Sequence, residues 1–294
     1  MSDLFGAKMI EREYVCREKT ELISIVSTSD AIRIVSGDVD NVTVSYMECP
    51  GKHEYTLTEQ DGKLSLEYIS NISIIWGLQQ IFTDTTIDVT VPGDFCGALE
   101  LTASSGRTVL SDLNIAYLNS GSSSGSVKAS NVNSAGPVCI RNSSGTIKLK
   151  DISAADVTVN NTSGGVNMDQ VRSLGGINAG VTSGSISLSG STAQNDISLS
   201  NHSGAIRLED VTAGGSVNAS NTSGGIHFAS LKAGGNLSFS TTSGSIKGSV
   251  IGNESDYSIT SNTTTGSNGL TDSEGGAKEL NAHATSGSIK IVFI

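Results

Sequence analysis

The side chains that could carry out chemistry are scattered along this sequence of 294 residues. A polysaccharide lyase or hydrolase needs carboxylates that converge on one exposed face, in some enzymes together with Ca²⁺ and a basic residue. Asp169 and Glu209 share a position of the repeat described below, but two repeats would separate them by about 10 Å. Between residues 144 and 243 of the repetitive part, the carboxylates are Asp151, Asp156, Asp169, Asp196, Glu209 and Asp210. We interpret them as solvated charges on strand faces.

The spacing of histidine and cysteine predicts neither a metal site nor a cofactor. The sequence has no HExxH motif and no CxxC pair, so zinc ligation is not indicated. The four histidines are expected at the surface: His53, His202, His227 and His283. The four cysteines are expected to be reduced and mostly buried, with a disulfide between two of them as the alternative: Cys16, Cys49, Cys96 and Cys139.

An internal repeat dominates the chain. Ser-Gly or Thr-Gly pairs recur at intervals of 19 to 22 residues. The pairs begin at Ser105, Ser124, Ser144, Ser163, Ser183, Ser203, Ser223, Ser243, Thr265 and Ser286. When each Ser or Thr is counted as position 0, apolar residues recur at −6, −4, +3, +5 and +8, as Ile186 (+3) and Leu188 (+5) illustrate. A spacing of two indicates short strands with one face turned inward.

This repeat predicts the fold. Each glycine marks a corner at which the backbone takes a positive φ, a conformation that only glycine adopts at little cost. One coil cannot bury its apolar face alone, so neighbouring coils must stack on one another. We therefore predict an all-β, single-stack β-solenoid of about ten coils of roughly 20 residues each, right-handed and almost without helix.

The N-terminal third follows the same scheme with additions. Residues 1–22 are expected to form a lead-in, residues 23–98 the first coils, and residues 99–294 the regular repeat. A hairpin is predicted around Asp61-Gly62. An apolar segment without repeat phase follows at residues 69–82, and it is expected to cap the open end of the solenoid, with a contact to a partner subunit as the alternative. Its candidate contact residues are Ile74, Ile75, Trp76, Leu78 and Phe82.

One outward column has the composition of a binding surface. Position +4 of the repeat is occupied by Lys128, Lys148, Asn167, Ser187, Arg207, His227, Lys247 and Lys290. Position +2 beside it carries only small residues such as Ser185 and Gly225. The six basic members therefore form a candidate ligand-facing column that suits a linear anionic polymer such as a glycan. The alternative is that these charges only keep the strand face soluble.

The repeat motifs resemble those of a bacterial family. The motifs are Thr182-Ser183-Gly184-Ser185-Ile186, Ser144 to Leu149, the segment Thr86 to Phe95 before the first regular coil, and the ending Thr285 to Ile291. They are similar to the "putative adhesin" β-strand-repeat proteins, and the likeness extends from about Ile23 to the end. This resemblance implies a β-solenoid and little about function, since that family's function is largely unassigned.

Charge and hydropathy narrow the classes of function. The net charge is −11, and residues 1–100 hold 17 acidic against 7 basic residues, which disfavours nucleic-acid binding. No apolar run of about 18 residues predicts a membrane span. The first 21 residues contain no secretory signal, which favours the cytoplasm, with the cell surface as the alternative if an export segment has been removed.

Two functions follow from these patterns. The favoured one is a non-catalytic, adhesin-like binding or structural protein that presents its repeat surface to a glycan, an envelope component or a protein partner. The alternative is a polysaccharide-active lyase or hydrolase. Self-association through the C-terminal strand is a further expectation, because the sequence ends on a strand without a polar cap.

Overall fold

The chain folds as a β-solenoid. The computed structural model describes residues 9–51, 53–69 and 85–294, so the apolar segment with Ile74, Ile75, Trp76, Leu78 and Phe82 lies outside the described residues. Within those ranges, one 3-10 turn (Glu254–Asp256) is the only helical element. The chain divides into two compact units, Met1–Gly136 and Pro137–Ile294. In each unit, strands alternate between two sheets and parallel pairing stacks successive coils, which confirms the predicted fold class.

The first unit is built around one central coil. Its strands are β1 (Ile10–Val15), β2 (Leu22–Ser27), β3 (Ala31–Ser36), β4 (Thr43–Glu48), β5 (Glu54–Gln60), β6 (Lys63–Ile69), β7 (Thr86–Val91), β8 (Ala98–Ala103), β9 (Thr108–Ile115), β10 (Leu118–Ser124) and β11 (Val127–Ser134). Strand β2 pairs in parallel with β6 and β8, and β3 pairs with β7 and β9. Strands β10 and β11 continue the stack on β8 and β9.

Antiparallel strands form the other edge of this unit. Strand β5 pairs with β6, β4 with β7, and β1 with β4, all antiparallel. The predicted hairpin is confirmed, because β5 and β6 are joined at Asp61 (φ 50°) and Gly62 (φ 73°), the pair of positive φ values that a tight two-residue hairpin turn requires. The antiparallel pairing of β4 with β7 and of β1 with β4 was not anticipated from the repeat.

The second unit contains the regular coils. Its strands are β12 (Val138–Ser144), β13 (Ile147–Ala154), β14 (Val157–Ser163), β15 (Val166–Ser173), β16 (Ile177–Ser183), β17 (Ile186–Ser189), β18 (Thr192–Ala193), β19 (Ile197–Ser203), β20 (Ile206–Glu209), β21 (Thr212–Ala213), β22 (Val217–Ser223), β23 (Ile226–Ala233), β24 (Leu237–Ser243), β25 (Ile246–Val250), β26 (Tyr257–Thr265), β27 (Lys278–Ser286) and β28 (Ile289–Phe293). Equivalent residues of successive coils face each other; Ile186, for example, pairs with Val166 and Ile206.

The predicted inward columns form the core. The +3 residues Ile186, Ile206 and Ile226 are 0% exposed, as the apolar spacing predicts. In the +8 column Ile251 departs from the pattern, because it is 42% exposed whereas Val250 is 0% exposed. The register between β23 and β25 shifts after Phe228, so Val250 takes the inward place and Ile251 is turned out.

A second corner of the coil was missed from sequence. At position +7 the backbone takes a positive φ without glycine in most coils, for example at Asp151 (φ 53°) and Asp210 (φ 52°). Asp and Asn tolerate this conformation better than other residues with a side chain. The recurrence of Asp, Asn or Gln at +7 is therefore the sequence feature that could have predicted this second corner.

Buried asparagines tie the glycine corners together. Asn161, Asn201 and Asn221 are at most 5% exposed. Their Nδ2 atoms donate hydrogen bonds to the carbonyl oxygens of Gly145, Gly184 and Gly204 at 2.8, 2.9 and 2.6 Å. Each bond reaches from one coil to the corner of the preceding coil, so it stabilises the stack rather than a single coil.

The last coil is stacked out of chain order. Strand β27 lies between β24 and β26, and β28 pairs with β25. After β26 the +3 and +5 positions hold Asn268 and Leu270, whereas β28 supplies Ile289 and Ile291, which are 1% and 5% exposed. Only β28 therefore offers β25 an apolar pair. The N–H of Ile289 donates to the carbonyl of Ser267, so the C-terminal strand is partly covered.

At the first corner of the stack, Asp30 occupies the position that glycine has in later coils, and it belongs to a buried polar cluster. Asp30 and His53 are 1% and 3% exposed, and Nε2 of His53 lies 3.2 Å from Oδ1 of Asp30. The hydroxyls of Tyr55 and Thr85 also donate to the Asp30 carboxylate. The expectation that His53 lies at the surface was wrong: the side chain of Asp30 points into the unit, where it needs buried donors.

This cluster predicts a specific acid sensitivity. Burial alone would raise the pKa of Asp30, but hydrogen bonds from His53, Thr85 and Tyr55 outweigh it and lower the pKa below its ordinary value. A lowered pKa contributes stability above the pKa of the unfolded chain, and this stability is lost as the pH falls through the folded-state value. From pH 6 to below about pH 4, the free energy of unfolding should therefore fall more in the wild type than in Asp30→Asn. Chemical denaturation at several pH values measures this difference, and parallel curves would contradict the assignment.

Candidate functional site

The basic column of the second unit lies in strict register. Backbone pairing aligns Lys148, Asn167, Ser187, Arg207, His227, Lys247 and Lys290 on seven successive strands. Adjacent strands lie about 4.8 Å apart. Arg207, His227, Lys247 and Lys290 therefore stand side by side, and we call these four residues the basic row. Lys148 belongs to the same column, but two uncharged residues separate it from Arg207.

The strand pattern turns the basic row to solvent. Each member follows a buried isoleucine at position +3, and Arg207 lies between Ile206 (0% exposed) and Leu208 (2% exposed). All four members of the basic row are exposed. Lys128, the sixth candidate, lies on β11 of the first unit, where it is exposed and pairs with Val109.

Small residues border the basic row. In the coils of the second unit that carry this column, position +2 is half-buried, as at Ser185, Ala205 and Gly225. The imidazole of His227 lies over Gly225: a Cβ added there would be 2.5 Å from Nε2 of His227. One histidine therefore partly covers the small residues at position +2.

The positive charges of the basic row affect the pKa of His227. Desolvation by burial lowers the pKa of His227, and the positive charges of Arg207 and Lys247 lower it further. Across the described parts of the chain, the three ion pairs all lie in the first unit. The cations of the basic row are thus available to an external anion.

Several acids have a structural role. Oδ1 of Asp156 accepts a hydrogen bond from the N–H of Gly176 at 2.9 Å, and Oδ1 of Asp196 accepts one from Ser216 at 2.6 Å. Both carboxylates therefore satisfy backbone donors of the next coil, which the interpretation as merely solvated charges missed. Asp169 and Glu209 are separated by the rung of Ser189, as predicted.

The cysteines form no disulfide, as expected, but only two of the four are buried. All four cysteines are free; Cys16 and Cys49 are buried, whereas Cys96 is exposed and Cys139 is half-buried. Among the described residues, no group of three or more His, Cys, Asp or Glu is arranged to hold a metal ion. Likewise, no helix in the described ranges is long and apolar enough to cross a membrane.

Comparison with known families identifies the repeat. The sequence model of the Toastrack family, DUF4097, matches residues 20–209 and again residues 133–292. The chain belongs to the Toastrack family. The two overlapping matches extend over almost the whole Toastrack repeat, and they agree with the family resemblance of the Ser-Gly motifs. No curated protein matches the sequence.

Three of the solved structures similar to this Toastrack chain match it over nearly its whole length. A "putative adhesin" from Parabacteroides merdae is 14% identical, with 97% of this chain and 96% of that chain covered and a TM-score of 0.43. A "putative adhesin" from Bacteroides fragilis is 15% identical, with 98% and 97% covered and a TM-score of 0.35. A "putative lipid binding protein" from Parabacteroides distasonis is 15% identical, with 97% and 96% covered and a TM-score of 0.43. Likeness of this degree carries no argument about ligands.

Proposed function

We propose that this Toastrack protein is a non-catalytic binding protein whose basic row holds a linear anionic glycan. The observation that carries the proposal is the register of Arg207, His227, Lys247 and Lys290 on successive rungs. A polyanion that follows the stack would meet one of these side chains about every 4.8 Å. The small residues at position +2 leave room beside the charges for the sugar rings.

The carboxylates favour binding over hydrolysis. Asp169 and Glu209 occupy the same outward column two rungs apart, which separates their strands by about 10 Å. Inverting glycosidases hold their two carboxyl groups about 6.5–9.5 Å apart, and retaining enzymes hold them closer. The strands of this pair are thus separated by slightly more than the upper end of that range, which favours binding over hydrolysis. The enzymatic alternative predicts turnover of a uronic-acid polymer, which the binding experiment below would reveal.

Removing charge from the basic row should weaken anionic binding. In the double variant Arg207→Ser/Lys247→Ser, affinity for polygalacturonate should fall about tenfold, since each exposed ionic contact contributes up to about 1 kcal/mol. The affinity of the wild type should also fall as salt rises, because these charges are screened. Calorimetric titration measures both effects, and reducing-end assays on the same samples detect turnover.

A matched variant controls for net charge. Arg172 and Lys232 are exposed residues of the same unit outside the basic row, so Arg172→Ser/Lys232→Ser removes the same two charges and should leave the affinity unchanged. As a second readout, bound polygalacturonate should raise the pKa of His227, because its carboxylates offset Arg207 and Lys247. Equal losses in both double variants, or an unchanged His227 titration measured by NMR, would contradict the proposal.

A further inference from the structure

The opposite sheet of the second unit carries an uncharged outer face. On β14, β16, β19, β22 and β24, two outward positions contain no ionisable residue over five successive rungs. Position −5 holds Thr158, Asn178, Ser198, Asn218 and Ser238, and position −3 holds Asn160, Gly180, Ser200, Ser220 and Ser240. In a protein with a net charge of −11, ten neighbouring outward positions without charge form a distinct surface.

A shallow, open groove lies on this surface. A groove with a volume of about 310 Å³ is lined by the −5 and −3 side chains from Asn160 to Ser240, which is close to the lower end of the size range of ligand sites. Gly180 contributes no side chain, and the Oδ1 atom of Asn160 lies beside the space that a Cβ would occupy there, at 2.8 Å. Longer amide side chains at Asn178 and Asn218 border the shorter serines.

The polar side chains of the groove are exposed or half-buried. None of the side-chain hydrogen bonds formed among the described residues involves Asn160, Asn178, Asn218 or the serines that line the groove. Each amide offers two donors and an acceptor, and each hydroxyl offers one donor and two lone pairs. The groove therefore presents donors and acceptors at every rung without any charge to select an anion.

We propose that this groove binds an uncharged linear polysaccharide, independently of the basic row on the other sheet. Sugar hydroxyls are donors and acceptors of the same kind, and they would replace water on the asparagine and serine side chains. The rung spacing of about 4.8 Å is similar to the advance per sugar in an extended β-linked chain. A chain that crosses the strands would thus meet the same pair of side chains at each sugar.

The experiment uses neutral oligosaccharides of defined linkage on the full chain. Cellohexaose, xylohexaose and laminarihexaose are titrated separately, with NMR signals of the asparagine side-chain amides and calorimetry as readouts. At least one of the three should shift the signals of Asn178 and Asn218. In Asn178→Ala/Asn218→Ala, its affinity should fall about tenfold, because two hydrogen bonds are lost.

Two control variants test whether the sugar is held by the groove itself. Asn119→Ala/Asn167→Ala removes two exposed strand asparagines outside the groove and should leave the affinity unchanged. Arg207→Ser/Lys247→Ser should also leave it unchanged, so failure of the basic row and failure of the groove are distinguishable. The proposal is overturned if none of the three sugars shifts the groove signals, if both asparagine variants lose affinity equally, or if those signals shift with protein concentration alone, which would indicate a second copy of the chain.

Discussion

Ile206→Asp is expected to destabilise the second unit by about 4 kcal/mol or more, a loss that approaches the stability of many whole domains. Ile206 is 0% exposed and pairs with Ile186 and Ile226 in the +3 column. An aspartate there would place an unpaired carboxylate among apolar side chains, which is one of the most costly single substitutions. Urea denaturation followed by far-UV circular dichroism measures the change.

The neighbouring position provides the control for Ile206. Arg207 is exposed, so Arg207→Asp should change the free energy of unfolding by no more than about 0.5 kcal/mol. Ile206→Val, which removes one methylene group, should cost about 0.5–1.5 kcal/mol. If Ile206→Asp and Arg207→Asp had similar stability, the alternation of inward and outward residues along β20 would be wrong.

Gly204→Ala is expected to cost about 2–4 kcal/mol, which is unusual for the addition of one methyl group. Gly204 has a φ of +121°, a conformation that side chains disfavour strongly. A Cβ at this position would also overlap the carbonyl oxygen of Gly184 in the preceding coil. That carbonyl accepts a hydrogen bond from Asn201, so moving it away would disturb a second interaction.

Gly190 is the matched control for the corner. Its φ is also positive, at +54°, but the nearest atom to an added Cβ is Cγ of Gln170 at 3.7 Å. Asp151 and Asp210 occupy the same +7 position in other coils with nearly the same φ. Gly190→Ala should therefore cost about 1–2 kcal/mol at most. Equal costs at Gly204 and Gly190 would show that close approach between coils is unimportant.

The repeat predicts the regular coils well because their burial follows local rules. Residues such as Ile186 and Leu188 recur at a fixed distance from the glycine corner, and one period determines which residues face inward. The predicted exposure was wrong for a residue whose partner is distant in the sequence. His53 is buried because Asp30, 23 residues earlier, requires donors, and no local pattern records that requirement.

The candidate site was predictable in part. The alternation along each strand places Arg207 and Lys247 on the outer face, and the constant repeat length aligns them on neighbouring rungs. The sequence did not indicate that His227 covers Gly225, because side-chain direction depends on local packing. The groove of the opposite sheet was also missed, since uncharged polar residues such as Ser200 look unremarkable until their unused hydrogen-bonding groups are seen along five strands.

The position of β27 has a consequence for how the nascent chain matures. During synthesis, β26 leaves the ribosome before β27, and at that stage the edge of β24 has no other partner in the last coil. Ile259 of β26 occupies the same repeat position as Leu280 of β27, so β26 can pair provisionally with β24. In the folded unit β27 takes that edge instead, and the strand after it brings Ile289 to β25. The edge of β24 therefore meets its native partner only after β27 has been synthesised, so this coil closes later than the order of the strands along the chain alone would give.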